Sequence, residues 1–70
     1  MPVRTVWAMT ANNLGVLYRG QGRRAEAEEL LSRALAAFER TLTEGHPNLV
    51  ACRDNLAALL RAKGGATNEA

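Results

Sequence analysis

The 70-residue chain predicts an all-α fold, an antiparallel helix-turn-helix repeat (an α-solenoid fragment) with three helices and about one and a half repeats. Three observations predict it. Ala, Leu, Glu and Arg dominate while only Trp7, Tyr18 and Phe38 are aromatic, a composition of packed helices rather than of sheet. Apolar residues recur at helical spacing in three separate stretches. Finally, Asn13-Leu14-Gly15-Val16-Leu17-Tyr18-Arg19-Gly20-Gln21-Gly22 returns 42 positions later as Asn55-Leu56-Ala57-Ala58-Leu59-Leu60-Arg61-Ala62-Lys63-Gly64, with the Asn-Leu opening, the Arg and the closing Gly kept.

Pro in Met1-Pro2 is tolerated at a helix start, and Val3, Val6, Trp7, Ala11, Leu14, Leu17 and Tyr18 then repeat with helical spacing, so the first helix is expected over 3–20. Gly20-Gln21-Gly22 supplies a left-handed stop. The second helix is expected over 24–43, with Ala27, Leu30, Leu31, Ala34, Leu35, Phe38 and Leu42 on one face and Glu29 one turn before Arg33. Glu26, Glu28 and Glu29 sit where the positive end of the helix dipole favours them. Gly45 is expected to stop this helix, and Pro47 to open a third over 47–63, whose stripe is Leu49, Cys52, Leu56, Leu59 and Leu60. Gly64-Gly65 would end it, leaving a domain of residues 1–65 and a flexible tail over 66–70. Both connections are short, so successive helices pack antiparallel.

A chain of this size buries only about 60% of its unfolded surface, which leaves a thin stability margin and room for a partner, a second copy or further repeats. No apolar run approaches the roughly 20 residues that cross a bilayer, so no membrane role is expected and a cytoplasmic location is. Cys52 has no second Cys to pair with, and with His46 the sole His no metal cluster is expected, nor any cofactor. His46 lacks a nucleophile or carboxylate spaced to work with it, so the chain does not read as an enzyme. A net charge of +2 is too small for a nucleic-acid-binding face.

Asn13-Leu14-Gly15 with Tyr18, Gly22 at the turn, Ala27 and Ala34, then Gly45-His46-Pro47 before Asn55-Leu56-Ala57 together resemble a tetratricopeptide repeat, in the long variety seen in kinesin light chains. Ordinary repeats of this kind have a period near 34 residues. The extra residues here lengthen the second helix and its exit. Ala11 stands where such repeats often carry a large residue, and Leu60 replaces the Tyr18 equivalent. Read without the resemblance, Gly15, Ala27 and Ala34 allow close helix approach, and a larger residue at Ala27 or Ala34 should overpack it at a cost of about 1–3 kcal/mol.

The resemblance implies a non-enzymatic scaffold whose first and third helices line a groove for a peptide or partner protein. Carried over position by position, the groove residues are Met9, Asn12, Asn13, Val16 and Arg19, then Ala51, Asp54, Asn55, Ala58 and Arg61. Asn13 and Asn55 would either grip a peptide backbone or bond to a neighbouring helix. The second helix and its exit carry Glu26, Glu28, Glu29, Glu39 and Glu44 against Arg33 and Arg40, whereas the flanking helices are basic. Arg19 and Arg61 would thus favour an acidic segment, or else serve as solvated charges. A structural alternative is self-association into a homo-oligomer through Leu56, Leu59 and Leu60, or membership of a longer repeat array. Cys52 should pack as a small hydrophobe, Arg23 and Arg24 read as ordinary turn cations, and Trp7 should cap the first core layer or anchor a contact.

Overall fold

The computed structural model describes the backbone of residues 3–68 and the side chains of residues 3–62. Three helices follow one another: α1 Val3–Gly20, α2 Arg24–Thr41 and α3 Pro47–Asn68. No strand occurs among the described residues. The expected helix start at Met1-Pro2 and the tail positions Glu69 and Ala70 lie outside them, as does the side chain of Lys63.

α1 and α2 close on each other because the residues between them are small. Ala8, Ala11 and Gly15 on α1 and Ala27 and Ala34 on α2 are all buried. The approach at Gly15 is close: a Cβ there would lie 2.8 Å from Leu31 Cγ and 2.9 Å from its Cδ2. Those distances are inside van der Waals contact, so Leu31 occupies the volume that any larger residue at position 15 would need. Thr5 is buried as well, and its hydroxyl has no hydrogen-bond partner among the described residues.

The turn after α1 is built by Gly22, whose φ of +80° is open to glycine at no steric cost. With that residue left-handed, the Arg23 amide donates to the Tyr18 carbonyl at 2.9 Å and the Gly22 amide donates to the Arg19 carbonyl at 3.1 Å. This is the Schellman pattern, which satisfies carbonyls the helix end would otherwise leave open. Arg23 is more than a turn cation. Its guanidinium lies 4.1 Å from the centroid of the Tyr18 ring and forks onto both carboxylate oxygens of Glu26 at 2.7 Å. That paired hydrogen bond raises the Arg23 pKa and lowers that of Glu26.

The second half of the core uses large residues. Phe38, Leu49, Cys52 and Leu59 are buried, with Leu35, Leu42 and Leu56 packed against them. Cys52 behaves as a small hydrophobe, donating weakly to the Leu31 carbonyl at 3.5 Å. Burial pushes its thiol up to about 11, and the Glu39 carboxylate adds to the effect. Arg53 ties α3 to the chain before it, reaching Glu39 at 3.8 Å and Glu44 at 3.2 Å.

Four expectations are corrected here. The second helix ends at Thr41 rather than 43, because Leu42 turns extended at φ −121°, ψ 152° while its amide still reaches the Phe38 carbonyl. Gly45 is therefore not the stop: at φ +88° it sits inside a separate turn that closes from the His46 amide to the Thr43 carbonyl at 3.0 Å. The third helix runs on through Gly64-Gly65 to Asn68, so residues 66–68 are helical. Glycine weakens a helix by about 1 kcal/mol per residue but does not end one unless it adopts the left-handed conformation. Last, Leu56, Leu59 and Leu60 do not form one exposed stripe. Leu59 is 1% exposed inside the core and Leu56 packs against that core, which leaves Leu60 on the surface.

His46 has a structural task that the sequence left unnoticed. Its Nδ1 accepts a hydrogen bond from the Asn48 amide at 3.1 Å and its carbonyl accepts from Val50 at 2.9 Å, so it caps the start of α3 ahead of Pro47.

Candidate functional site

α1 and α3 each pack on α2 and also touch one another. None of the residues expected to line the groove is fully buried: Met9, Asn13, Val16 and Arg19 on α1 and Ala51, Asp54 and Arg61 on α3 are exposed, while Asn12, Asn55 and Ala58 are half-buried. Helical spacing puts each set on one stripe of its own helix.

The two stripes meet where Asn55 Nδ2 donates to Asn12 Oδ1 at 3.2 Å. The matched pair Asn13 and Asn55 is therefore not used symmetrically. Asn55 bonds to a neighbouring helix, as one of the two expectations had it, but through Asn12. Asn13 is exposed, and its amide makes no hydrogen bond among the described residues. The reason is geometric. Helices related by translation present identical faces in the same direction, so they touch through opposite flanks rather than through equivalent residues. Asn55 is equivalent to Asn13, about 100° around the helix from Asn12, so the bond joins unlike positions of the two copies.

Charges around this contact are left open. Arg19, Asp54 and Arg61 make no ion pair among the described residues, in contrast to Arg53, which is engaged by Glu39 and Glu44 on the other side of α3. A surface with the free Asn13 amide, two guanidinium groups that make no ion pair among the described residues, and the apolar side chains of Val16 and Ala58 can bind polar backbone and carboxylates. Trp7 does not cap a core layer: it is 40% exposed, and the Arg33 guanidinium sits 5.4 Å from its ring centroid. No described helix is long and apolar enough to cross a membrane.

With this geometry in place, the comparison with known families is direct. The tetratricopeptide repeat model matches residues 7–70, nearly the whole chain, and the protein belongs to that family. It is a family of helical repeats that mediate protein–protein interaction. No curated protein and no solved structure matches the chain.

Proposed function

We propose that the chain is a non-enzymatic interaction module that binds an acidic peptide segment across the groove between α1 and α3, without a cofactor, nucleic acid or membrane. The observation that carries this reading is the Asn55 to Asn12 bond at 3.2 Å, which ties the two helix stripes into one surface. Asn13, Val16 and Arg19 would contact the peptide on one side of it, and Asp54, Ala58 and Arg61 on the other. Amides that serve as both donor and acceptor suit a peptide backbone, and the arginine forks suit carboxylates. The 42-residue offset between the copies, against a usual period near 34, supports the long, kinesin-light-chain-like variety of the repeat. A cytoplasmic setting goes with the buried free thiol of Cys52.

Titration with acidic peptides tests it. Asn13→Ala combined with Arg19→Glu and Arg61→Glu should weaken binding by about tenfold or more, since hydrogen bonds to charged groups are worth about 1.5–3 kcal/mol each. Affinity that survives all three changes would remove the groove from the account.

Self-association is the second reading, favoured by Val50 and Leu60, which are 38% and 44% exposed on α3. One repeat earlier, these positions are Ala8, buried, and Tyr18, half-buried in the hairpin. A homo-oligomer would cover them. Sedimentation over a range of concentrations decides it, with a monomer throughout as the outcome against.

A further inference from the structure

We propose that the joint between α2 and α3 is acid-sensitive: His46 caps α3 only as a neutral imidazole, and its protonation loosens the first turn of that helix. Nδ1 accepts a hydrogen bond from the Asn48 amide at 3.1 Å, and a ring nitrogen accepts only while it carries no proton. The ring proton of the neutral form must then sit on Nε2. Imidazolium donates from both nitrogens, so protonation turns the acceptor into a donor aimed at another N–H. It also sets a positive charge at the positive end of the α3 dipole. Both effects have the same sign. The first turn of α3 carries no acidic residue to offset them, whereas that of α2 carries Glu26. Leu49, buried in the core, follows directly, so the turn that loosens is the one that seats α3. The stability the cap contributes is present at about pH 8 and is lost as pH falls toward about 5, the range in which histidine gains its charge.

Charges on the neighbouring elements do not reverse that sign. Glu44, two residues before His46 in the turn, and Glu39 of α2 both lie on the Arg53 guanidinium of α3, at 3.2 Å and 3.8 Å. These carboxylates are exposed and already paired, so their pull on an imidazolium is screened. Asp54 stands about two turns further along α3. From α1 and α2, Arg4, Arg33 and Arg40 line a cleft beside Trp7, between the start of one helix and the end of the other, and cations can only disfavour a further one. The α1–α2 turn has no such trigger. It closes through the Arg23 and Gly22 amides onto the Tyr18 and Arg19 carbonyls, and Arg23 holds Glu26 below its ordinary carboxylate range, so none of these groups changes charge between about pH 8 and 5. Acid in that range acts on one connection and spares the other.

Nuclear magnetic resonance of the full chain at about pH 8 and about pH 5.5 tests this. At the higher pH the His46 ring should carry its proton on Nε2 and none on Nδ1. Between the two, hydrogen-exchange protection of the Asn48 amide, corrected for the intrinsic pH dependence of exchange, should fall by about two- to tenfold, whereas that of the Arg23 amide should hold. His46→Asn supplies an acceptor that does not titrate, so its Asn48 protection should be flat with pH. His46→Ala should give low protection at both. A neutral ring protonated on Nδ1, an Asn48 amide equally protected at both pH values, an equal fall in His46→Asn, or full protection in His46→Ala overturns the proposal. So does an equal fall at the Arg23 amide, which would make the effect a general loosening of the fold in acid.

Discussion

The two copies of the repeated stretch share the Asn-Leu opening, a Leu, the Arg and the closing Gly, yet they end differently. After Tyr18 the chain turns sharply at Gly22 and folds back into α2, whereas after Leu60 it continues as helix through the equivalent Gly64 to Asn68. What differs is the sequence beyond the glycine. Gly22 is followed by Arg23, which stacks on Tyr18 and grips Glu26, and then by the apolar stripe of α2, whose burial rewards the reversal. Gly64 is followed by Gly65-Ala66-Thr67-Asn68, a sequence without the Arg-to-Glu pair and the apolar spacing that follow Gly22. A glycine permits a turn; the residues after it decide whether the turn is made.

Matched substitutions in the two copies should break this symmetry most visibly at positions 15 and 57. Gly15→Val is expected to cost about 1–3 kcal/mol, because Leu31 fills the space its side chain needs. Ala57→Val, at a half-buried site, should cost less than about 1 kcal/mol. Urea melts of the two variants provide the comparison. Adding Leu31→Ala to Gly15→Val should recover part of the loss, and a strictly additive double variant would deny that these two residues contest one volume.

Positions 22 and 64 should differ in sign. Gly22→Ala must hold a left-handed backbone with a Cβ and is expected to lose about 1–2 kcal/mol. Gly64→Ala replaces glycine inside a helix and should gain up to about 1 kcal/mol. A loss at both positions would mean that Gly64 ends α3 in solution, as its resemblance to Gly22 suggests.

Much of the architecture was legible in the sequence because it rests on local rules. Three helical stripes, two short connections and small residues at Gly15, Ala27 and Ala34 were enough to give the fold class and the close α1–α2 seam. The missed details were those in which two structures serve one residue equally well. Leu42 fits the helical stripe of α2, but it can reach the core just as well from an extended backbone, and nothing local separates the two. The Asn12 to Asn55 bond was hidden because sequence repeats align equivalent positions, while neighbouring helices meet through opposite flanks. The Arg4, Arg33 and Arg40 cleft was hidden for a related reason, since it joins the start of one helix to the end of the next.

Positions 10 and 52 distinguish the copies by burial: Thr10 is exposed, whereas Cys52 is enclosed and its thiol is raised from 9.0 to about 11. A raised thiol keeps its proton in the folded state while the unfolded chain releases it. Stability should therefore be fully present below about pH 9 and fall as pH rises from there toward 11. Cys52→Ala, though less stable overall, should lose that part of the pH dependence. Reaction of Cys52 with a thiol reagent at pH 8 should proceed at the rate of unfolding, and fast labelling of the native protein would contradict its burial.

The smallest contrast lies at the starts of the two copies. His46 corresponds to Arg4, but Arg4 is already inside α1, whereas His46 stands just before α3 and holds the Asn48 amide with Nδ1. His46→Ala removes the only side-chain acceptor at that helix end among the described residues and should cost about 0.5–1 kcal/mol. Arg4→Ala, at an exposed position with no ion pair among the described residues, should change stability by no more than a few tenths of a kcal/mol. His46→Asn separates capping from packing: an amide oxygen can accept the same hydrogen bond, so this variant should recover most of the loss. If His46→Asn is as unstable as His46→Ala, the imidazole contributes through its contacts, and the start of α3 depends on Pro47 and on the burial of Leu49 instead of on a cap.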